Sequence, residues 1–284
     1  MNVLDYLIEP LSHTFMQHAL ISAVSVGLVC ALLSCFVVLK GWSLMGDAIS
    51  HAVFPGVVVA ALTGLPVLLG AFLAGLMCAM SVGYLKAHTR IKEDTLMGIV
   101  FAGMFAVGLV IFNKMGGDHQ LKHILFGNLL GIDQSMLWQT MLVCGLIFLL
   151  TLLKIKDLLL YCFDASHARV AGLSPTLLYY GLLVLLSATV VVAMQAVGVI
   201  LVVAMLISPG VTAFVLCRRF SMMVLVASMS SCLTCVLGVI ISYHLDSATG
   251  ATIVLLQAIV FFLAMAISKV KEKYAVKMVD VNMG

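Results

Sequence analysis

Charge is what this 284-residue sequence has least of. Only 10% of its residues are Asp, Glu, Lys or Arg, against roughly 25% in a soluble globular chain. With 63% hydrophobic residues and a mean hydropathy of +1.22, it has more apolar surface than a water-soluble fold can hide. An integral membrane protein is expected. The first 39 residues contain no Lys or Arg, so no basic segment precedes the first apolar run and no cleavable signal peptide is expected. There is no GxxxxGK[ST], which excludes ATP binding through a P-loop on this chain. HExxH and GxSxG are also absent, and with them the metalloprotease and α/β-hydrolase mechanisms. No low-complexity segment or linker divides the chain, so 1–284 reads as a single transmembrane domain.

What is present is a series of long apolar runs. A spanning helix needs about 20 apolar residues, fewer when it packs inside protein. Spans are expected near 15–39, 44–63, 65–86, 94–113, 136–155, 176–195, 197–216, 222–243 and 250–268. This makes an all-α polytopic protein of about nine transmembrane helices. The second span is short and interrupted by proline, so eight is the alternative count.

The few basic residues sort by side. With nine spans, one set of loops and ends holds Lys40, Lys86, Arg90, Lys92, Lys154, Lys156, Arg169, Arg218, Arg219, Lys269, Lys271, Lys273 and Lys277. The other holds only Lys114 and Lys122. By the positive-inside rule the N-terminus is expected outside and the C-terminus in the cytoplasm. Two loops stand out. The outer one, 114–135, is part apolar and is expected to hold a short surface helix. The inner one, 156–176, is expected to form one or two short helices ended by Gly172 and Pro175, with Asp164 and Ser166 as candidate N-caps.

The two halves of the chain resemble each other. A shift of 154 residues lays "HAVFPGVVVA" (51–60) on "MLISPGVTAF" (205–214), with Pro55-Gly56 over Pro209-Gly210. The same shift lays spans three and four on spans eight and nine. Span two runs outward and span seven inward, so the repeat is inverted. Inverted repeats with proline-broken helices in matching positions mark transporters, with the pathway at the repeat interface.

The stretch "GDAISHAVFPGV" (46–57) carries the chemistry. Asp47, Ser50, His51 and Phe54 stand at i, i+3, i+4 and i+7 and share a helical face. An ionised Asp at the centre of a span costs roughly 2.5–3.5 kcal/mol on insertion scales. Pro55 has no N–H and clashes with the carbonyl four residues back, that of His51. A carboxylate, an imidazole and a carbonyl converge on one turn. This mixed N/O set suits a divalent first-row metal such as Mn, Fe or Zn better than Ca or an organic solute. One helix supplies too few ligands for a tight site, which suits an ion that must be released. The plainer alternative is that Asp47 and His51 pair with a neighbouring helix and fix packing. Met205, Ser208 and Thr212 near Pro209 are candidate neighbours.

Other constellations carry less. Asp118, His119 and His123 on the outer loop are candidates for receiving a metal at the entrance. His13, His18, His244 and Asp246 also fall near the outer face. Cys232 and Cys235 form a CxxC inside a span, but with no second pair a zinc or redox role is not expected.

"LMGDAISHAVFPGV" (44–57) closely resembles the signature of the permeases of metal-cation ATP-binding-cassette importers, the zinc, manganese and iron family. "RIKEDTLMGIVFAGMFAVGLVI" (90–111), "HILFGNLLGI" (123–132), "ARVAGLSPTLLYYGLL" (168–183) and "AVGVILVVAMLISPGVTA" (196–213) are similar to further family blocks in the same order. The resemblance covers nearly the whole chain, and the manganese/iron branch of the bacterial inner membrane is the nearest in character. It implies the type II importer fold of the vitamin B12 permeases. It implies a transported divalent metal with no resident cofactor, and no enzymatic activity on this chain. The implied partners are a cytoplasmic ATP-binding subunit, a second permease chain, identical or homologous, and an extracytoplasmic metal-binding protein. Membrane lipid surrounds the chain, and no nucleic acid is implied. By the same resemblance Asp47 and His51 map to metal passage, and Ala168, Arg169 and Gly172 to the segment coupled to the ATPase. His119 and His123 stand outside the family pattern. Three other readings remain: a proton-driven secondary metal transporter, a membrane-embedded enzyme using Asp/His chemistry, and a permease for a siderophore or cobalamin.

Overall fold

The computed structural model describes residues 9–42, 44–114 and 131–283. Among the described residues there is no β-strand. A turn of 3-10 helix, Pro10–Ser12, leads into α1 (Thr14–Lys40). Then follow α2 (Met45–Ala52), α3 (Phe54–Thr63), α4 (Val67–His88) and α5 (Glu93–Lys114). After the outer loop come α6 (Gln134–Leu153), α7 (Ile155–Phe163), α8 (Ala165–Val170) and α9 (Pro175–Val197). The chain closes with α10 (Val199–Leu216), α11 (Phe220–His244) and α12 (Thr249–Met283).

Local chemistry sets these boundaries. Gly41, at φ +70°, takes the left-handed conformation that ends α1, and the Trp42 N–H reaches back to the Val37 carbonyl. Ser174 precedes Pro175, whose missing N–H is harmless at the first position of α9. Asp133 caps α6 by accepting from the Gln134 N–H at 2.7 Å. Asp164 caps α8 through the N–H groups of Ser166 (2.8 Å) and His167 (3.1 Å). Ser166, the other expected cap, lies one residue inside that helix and is not a cap, because Asp164 already holds its amide.

Among the described residues, eight segments are long and apolar enough to cross a membrane, with α2 and α3 counted as one, and α10 is a shorter ninth. The short segment is therefore span seven rather than span two. At 1.5 Å per residue α10 is about 27 Å long, close to the roughly 30 Å hydrocarbon core. It nevertheless runs the full depth. Tyr179, near the start of α9, meets Trp42 just past the end of α1. Tyr243, at the end of α11, donates to or accepts from His13 Nε2 at 3.3 Å, just before α1 begins. So α9 finishes at the end where α1 starts, α11 begins at the opposite end, and α10 must connect the two. Nine passes result.

The repeat is visible in the packing. In the first half, α2–α3 lies against α4 and α5; in the second, α10 lies against α11 and α12. The first helix of each half crosses over. α1 packs on α10 and α11, and α9 packs on α4 and α2. Both Pro-Gly pairs mark close approaches. A Cβ on Gly56 would collide with the Gly70 carbonyl and stand 2.6 Å from Ala74 Cβ; one on Gly210 would stand 2.7 Å from the Ser34 carbonyl. Small residues allow such backbone contacts between membrane helices.

At the end where α1 finishes, polar groups tie five helices. Lys40 Nζ lies 3.8 Å over the Tyr161 ring of α7. Lys86 of α4 pairs with Glu93 of α5, and Tyr179 of α9 donates to Glu93 Oε1 at 3.1 Å. This end also carries Arg90, Lys92, Lys154, Lys156 and Arg169, the basic side anticipated from the sequence.

Candidate metal site

α2 has eight residues, and six are buried: Met45, Gly46, Ala48, Ile49, Ser50 and Ala52. Only Asp47 and His51 keep open surface, with side chains 37% and 40% exposed. The helix therefore presents one accessible strip, and that strip is the ionisable pair. Ser50 and Phe54, expected on the same face, turn inward instead. Ser50 Oγ donates to the Asp47 carbonyl at 2.8 Å, and Phe54 packs on Phe105 and Phe112. A helical face is wide, and the neighbouring helices cover half of this one.

His51 Nε2 lies 3.4 Å from Asp47 Oδ1. This is longer than a good hydrogen bond. It matches the separation of two ligands of one ion. Donors about 2.1 Å from a metal at a tetrahedral angle stand about 3.4 Å apart. The His51 ring stacks on Phe101 (centroids 5.9 Å) and meets Phe105 edge-on (5.4 Å). Those two rings occupy the middle of the 22-residue α5, so the pair stands at mid-depth of the bundle.

The proline acts more gently than the sequence suggested. Val53 separates α2 from α3, yet keeps helical dihedrals (φ −67°, ψ −27°). Its N–H donates to the Ile49 carbonyl at 3.0 Å and also leans toward the His51 carbonyl. Pro55 still removes the donor that residue 55 would offer, but the His51 oxygen is partly engaged rather than bare.

Among the described residues no third His, Cys, Asp or Glu joins the pair into a metal-sized cluster. Met205 is fully buried, and Ser208 and Thr212 line a different crevice. His119 and His123 lie outside the described residues. His18 Nδ1 contacts the Ile132 carbonyl at 3.3 Å, and His13 stacks on Phe15. All eight cysteines are free thiols, including Cys232 and Cys235. Phe101 and Phe105 are the contributors that sequence reasoning missed. Their i, i+4 spacing on an apolar span looked like packing until the fold set it beside His51.

The 156–176 segment forms α7 and α8. Ala168 is fully buried, whereas Arg169 and Gly172 are exposed, with Gly172 at φ +81°. Val170 and Leu177 project outward, 85% and 73% exposed. The amides of His167 and Ser166 hold the Asp164 carboxyl below the usual carboxylate range. A depressed folded value means the cap is complete above the ordinary Asp range and is lost only as pH falls through the lowered one. Asp164→Ala should speed amide hydrogen exchange at Ser166 and His167 at neutral pH. Exchange as slow as in the unmodified chain would show that the cap contributes nothing.

Among the described residues, nine passes in two crossed, repeat-related halves, with the Asp47–His51 pair at mid-depth, define a membrane transport permease. The chain belongs to the ABC 3 transport family, which it matches over residues 12–268. It is 59% identical over 267 residues to a probable iron transport system membrane protein of Haemophilus influenzae, covering 94% of this chain and 98% of that one. It is 48% identical over 260 residues to the manganese transport system membrane protein MntB of Synechocystis, covering 92% and 85%. The solved structure of PsaBC from Streptococcus pneumoniae in complex with Fab contains a chain of the same fold, at a TM-score of 0.82 and 38% identity, covering 93% of this chain and 95% of that one.

Proposed function

We propose that this chain is the permease subunit of an ATP-driven importer that moves a divalent metal ion, manganese or iron, into the cytoplasm. The carrying observation is the Asp47–His51 pair: 3.4 Å apart, at mid-depth, and the only accessible strip of α2. A carboxylate and an imidazole do not separate manganese, iron and zinc by affinity alone. The relatives named for iron and for manganese favour those two over zinc.

Two ligands leave a metal shell incomplete, and the pair opens to the outside of the chain. A second permease chain facing it would supply another Asp–His pair and close the shell. The absence of a P-loop is consistent with ATP hydrolysis on a separate subunit. That subunit would dock at α7–α8, where Val170, Arg169 and Leu177 are exposed and Ala168 anchors the segment to the bundle. A metal-binding protein would deliver the ion at the opposite end. The thirteen-to-two charge asymmetry supports α7–α8 and the C-terminus on the cytoplasmic side of a bacterial inner membrane, with the N-terminus outside.

The test is accumulation of Mn, Fe and Zn, measured together, in cells that lack and then regain the chain. Manganese or iron uptake should return with the chain and vanish when the ATP-binding subunit is inactivated. Uptake indifferent to that subunit would point to a proton-driven carrier and sink this reading.

A further inference from the structure

Gln257 of α12 is the strongest polar anomaly outside the Asp47–His51 pair. Its residue is 3% exposed, and neither Oε1 nor Nε2 has a hydrogen-bond partner among the described residues. It faces a crevice between α10, α11 and α12 lined by Ser208, Thr212, Ser230, Ser231 and Thr234. These hydroxyls are close, yet each is turned to a backbone carbonyl. Thr212 donates to Ser208 (2.8 Å), Ser230 to Ala227 (2.9 Å), and Thr234 to Ser230 (2.9 Å). Ser231 donates to Gly27 at 2.9 Å, and Ser208 to the backbone of Gln257 at 3.4 Å. The crevice is too tight to seat a water molecule. A buried amide left unpaired is unfavourable, and a leucine would fill the same volume without that penalty. Beside it Pro209 withholds the N–H that would have met the Met205 carbonyl, which weakens α10 at this level.

The place in the fold matters. Under the 154-residue shift, Gln257 falls on Gly103, between the two phenylalanines that flank His51. Each half thus sets a polar group where its proline-containing segment meets its last helix: α2–α3 on α5, and α10 on α12.

We propose that this crevice is a water-binding site that opens when α10 separates from α11 and α12. The Gln257 amide then bonds to water and to the released Ser and Thr hydroxyls. The crevice has no ionisable group, so its ligand is neutral water and not the metal. It is closed here and takes up water in another state of the cycle. The Gln257 amide lowers the free energy of the opened state relative to this one. The inference rests on the transport reading only for the existence of a cycle.

The experiment uses the full chain with its ATP-binding subunit in lipid nanodiscs. Brief hydroxyl-radical labelling with and without ATP would be read by mass spectrometry at Pro209 and Val260, which also line the crevice. Labelling several-fold stronger in one condition than the other, and lost in Gln257→Leu, is the expected result. Gln257→Leu should also raise the thermal midpoint by about 2–4 °C, because it removes the orphaned amide. Gln257→Asn, which keeps the amide, should keep the labelling. Labelling absent in every condition, labelling unchanged in Gln257→Leu, or a lowered midpoint would overturn the proposal. Labelling and melting need no metal ion. A chain that imports no manganese or iron but shows this pattern would defeat the substrate assignment and leave the crevice standing.

Discussion

His51→Ala is expected to abolish metal uptake while the protein still folds and reaches the membrane. Removing an outer-shell partner of a metal ligand typically costs roughly 10–100-fold in affinity or activity. His51 is proposed as a direct ligand in a shell with few protein donors, so its loss should cost at least that much. Asp47→Ala should do the same. The pair is half-exposed in the single chain, and the rest of α2 is buried, so neither truncation opens a core cavity. Thermal stability in detergent should therefore move little. Radioactive manganese or iron uptake, normalised to membrane protein level, is the measurement. Wild-type uptake by both variants would falsify the site. Phe101→Leu separates positioning from ligation. It removes the ring stacked on His51 but no ligand, so it should reduce uptake far less than His51→Ala.

Gly70→Ala is expected to be among the most damaging single-methyl additions within the described residues. Its Cβ would collide with the Gly56 carbonyl and stand 2.6 Å from Ala60 Cβ. The reciprocal Gly56→Ala would drive a Cβ into the Gly70 backbone. The obstructing atoms are backbone, which cannot swing aside as a side chain can. Overpacking usually costs about 1–3 kcal/mol and more where nothing yields, so either variant should sit at or beyond the top of that range. The consequence extends past stability. α3 continues directly from α2, and forcing α3 off α4 tilts the turn that carries His51. Yield and melting midpoint should fall together with uptake. Gly103→Ala is the control: nothing lies within 4 Å of a Cβ there, and alanine favours a helix interior by about 1 kcal/mol. Equal effects at positions 70 and 103 would show that the close approach of α3 and α4 carries no weight.

Much of the fold was legible because a membrane simplifies the code. A span must satisfy its backbone internally, so long apolar runs become helices wherever they fall. The expected spans accordingly agree with the observed helices to within two residues, except that α12 continues to Met283, well past the expected end at 268. Pro55-Gly56 and Pro209-Gly210 announced the repeat, and the structure supplied its physical meaning: both glycines permit backbone contact. Asp164 was readable as a cap because a side chain two or three residues from an unpaired amide has a local role. Ser166 carries the same local signal and was misread, since only one residue can end the helix.

The candidate site was half legible. Asp47 and His51 stood out by chemistry alone, as ionisable groups in apolar company. Their shared turn with Pro55 was also visible. The position of Phe101 and Phe105 beside His51 was not, because it depends on how α5 crosses α2, fifty residues away. Gln257 gave still less warning: one amide in a long apolar helix reads as neither site nor error.

The sequence by itself determined the class of protein, the sidedness of its charges, the repeat and the identity of the polar pair. These follow from composition, periodicity and spacing, which act within a turn or a span. The tertiary structure alone decided that α10 runs the full depth despite its length. It decided that Asp47 and His51 form the only open strip of α2, and that Gln257 is buried without a hydrogen-bond partner among the described residues. Those facts depend on which helix covers which face. That in turn is fixed by contacts between residues far apart in the chain, such as Gly56 with Gly70, Gly210 with Ser34 and His13 with Tyr243. No local pattern encodes them.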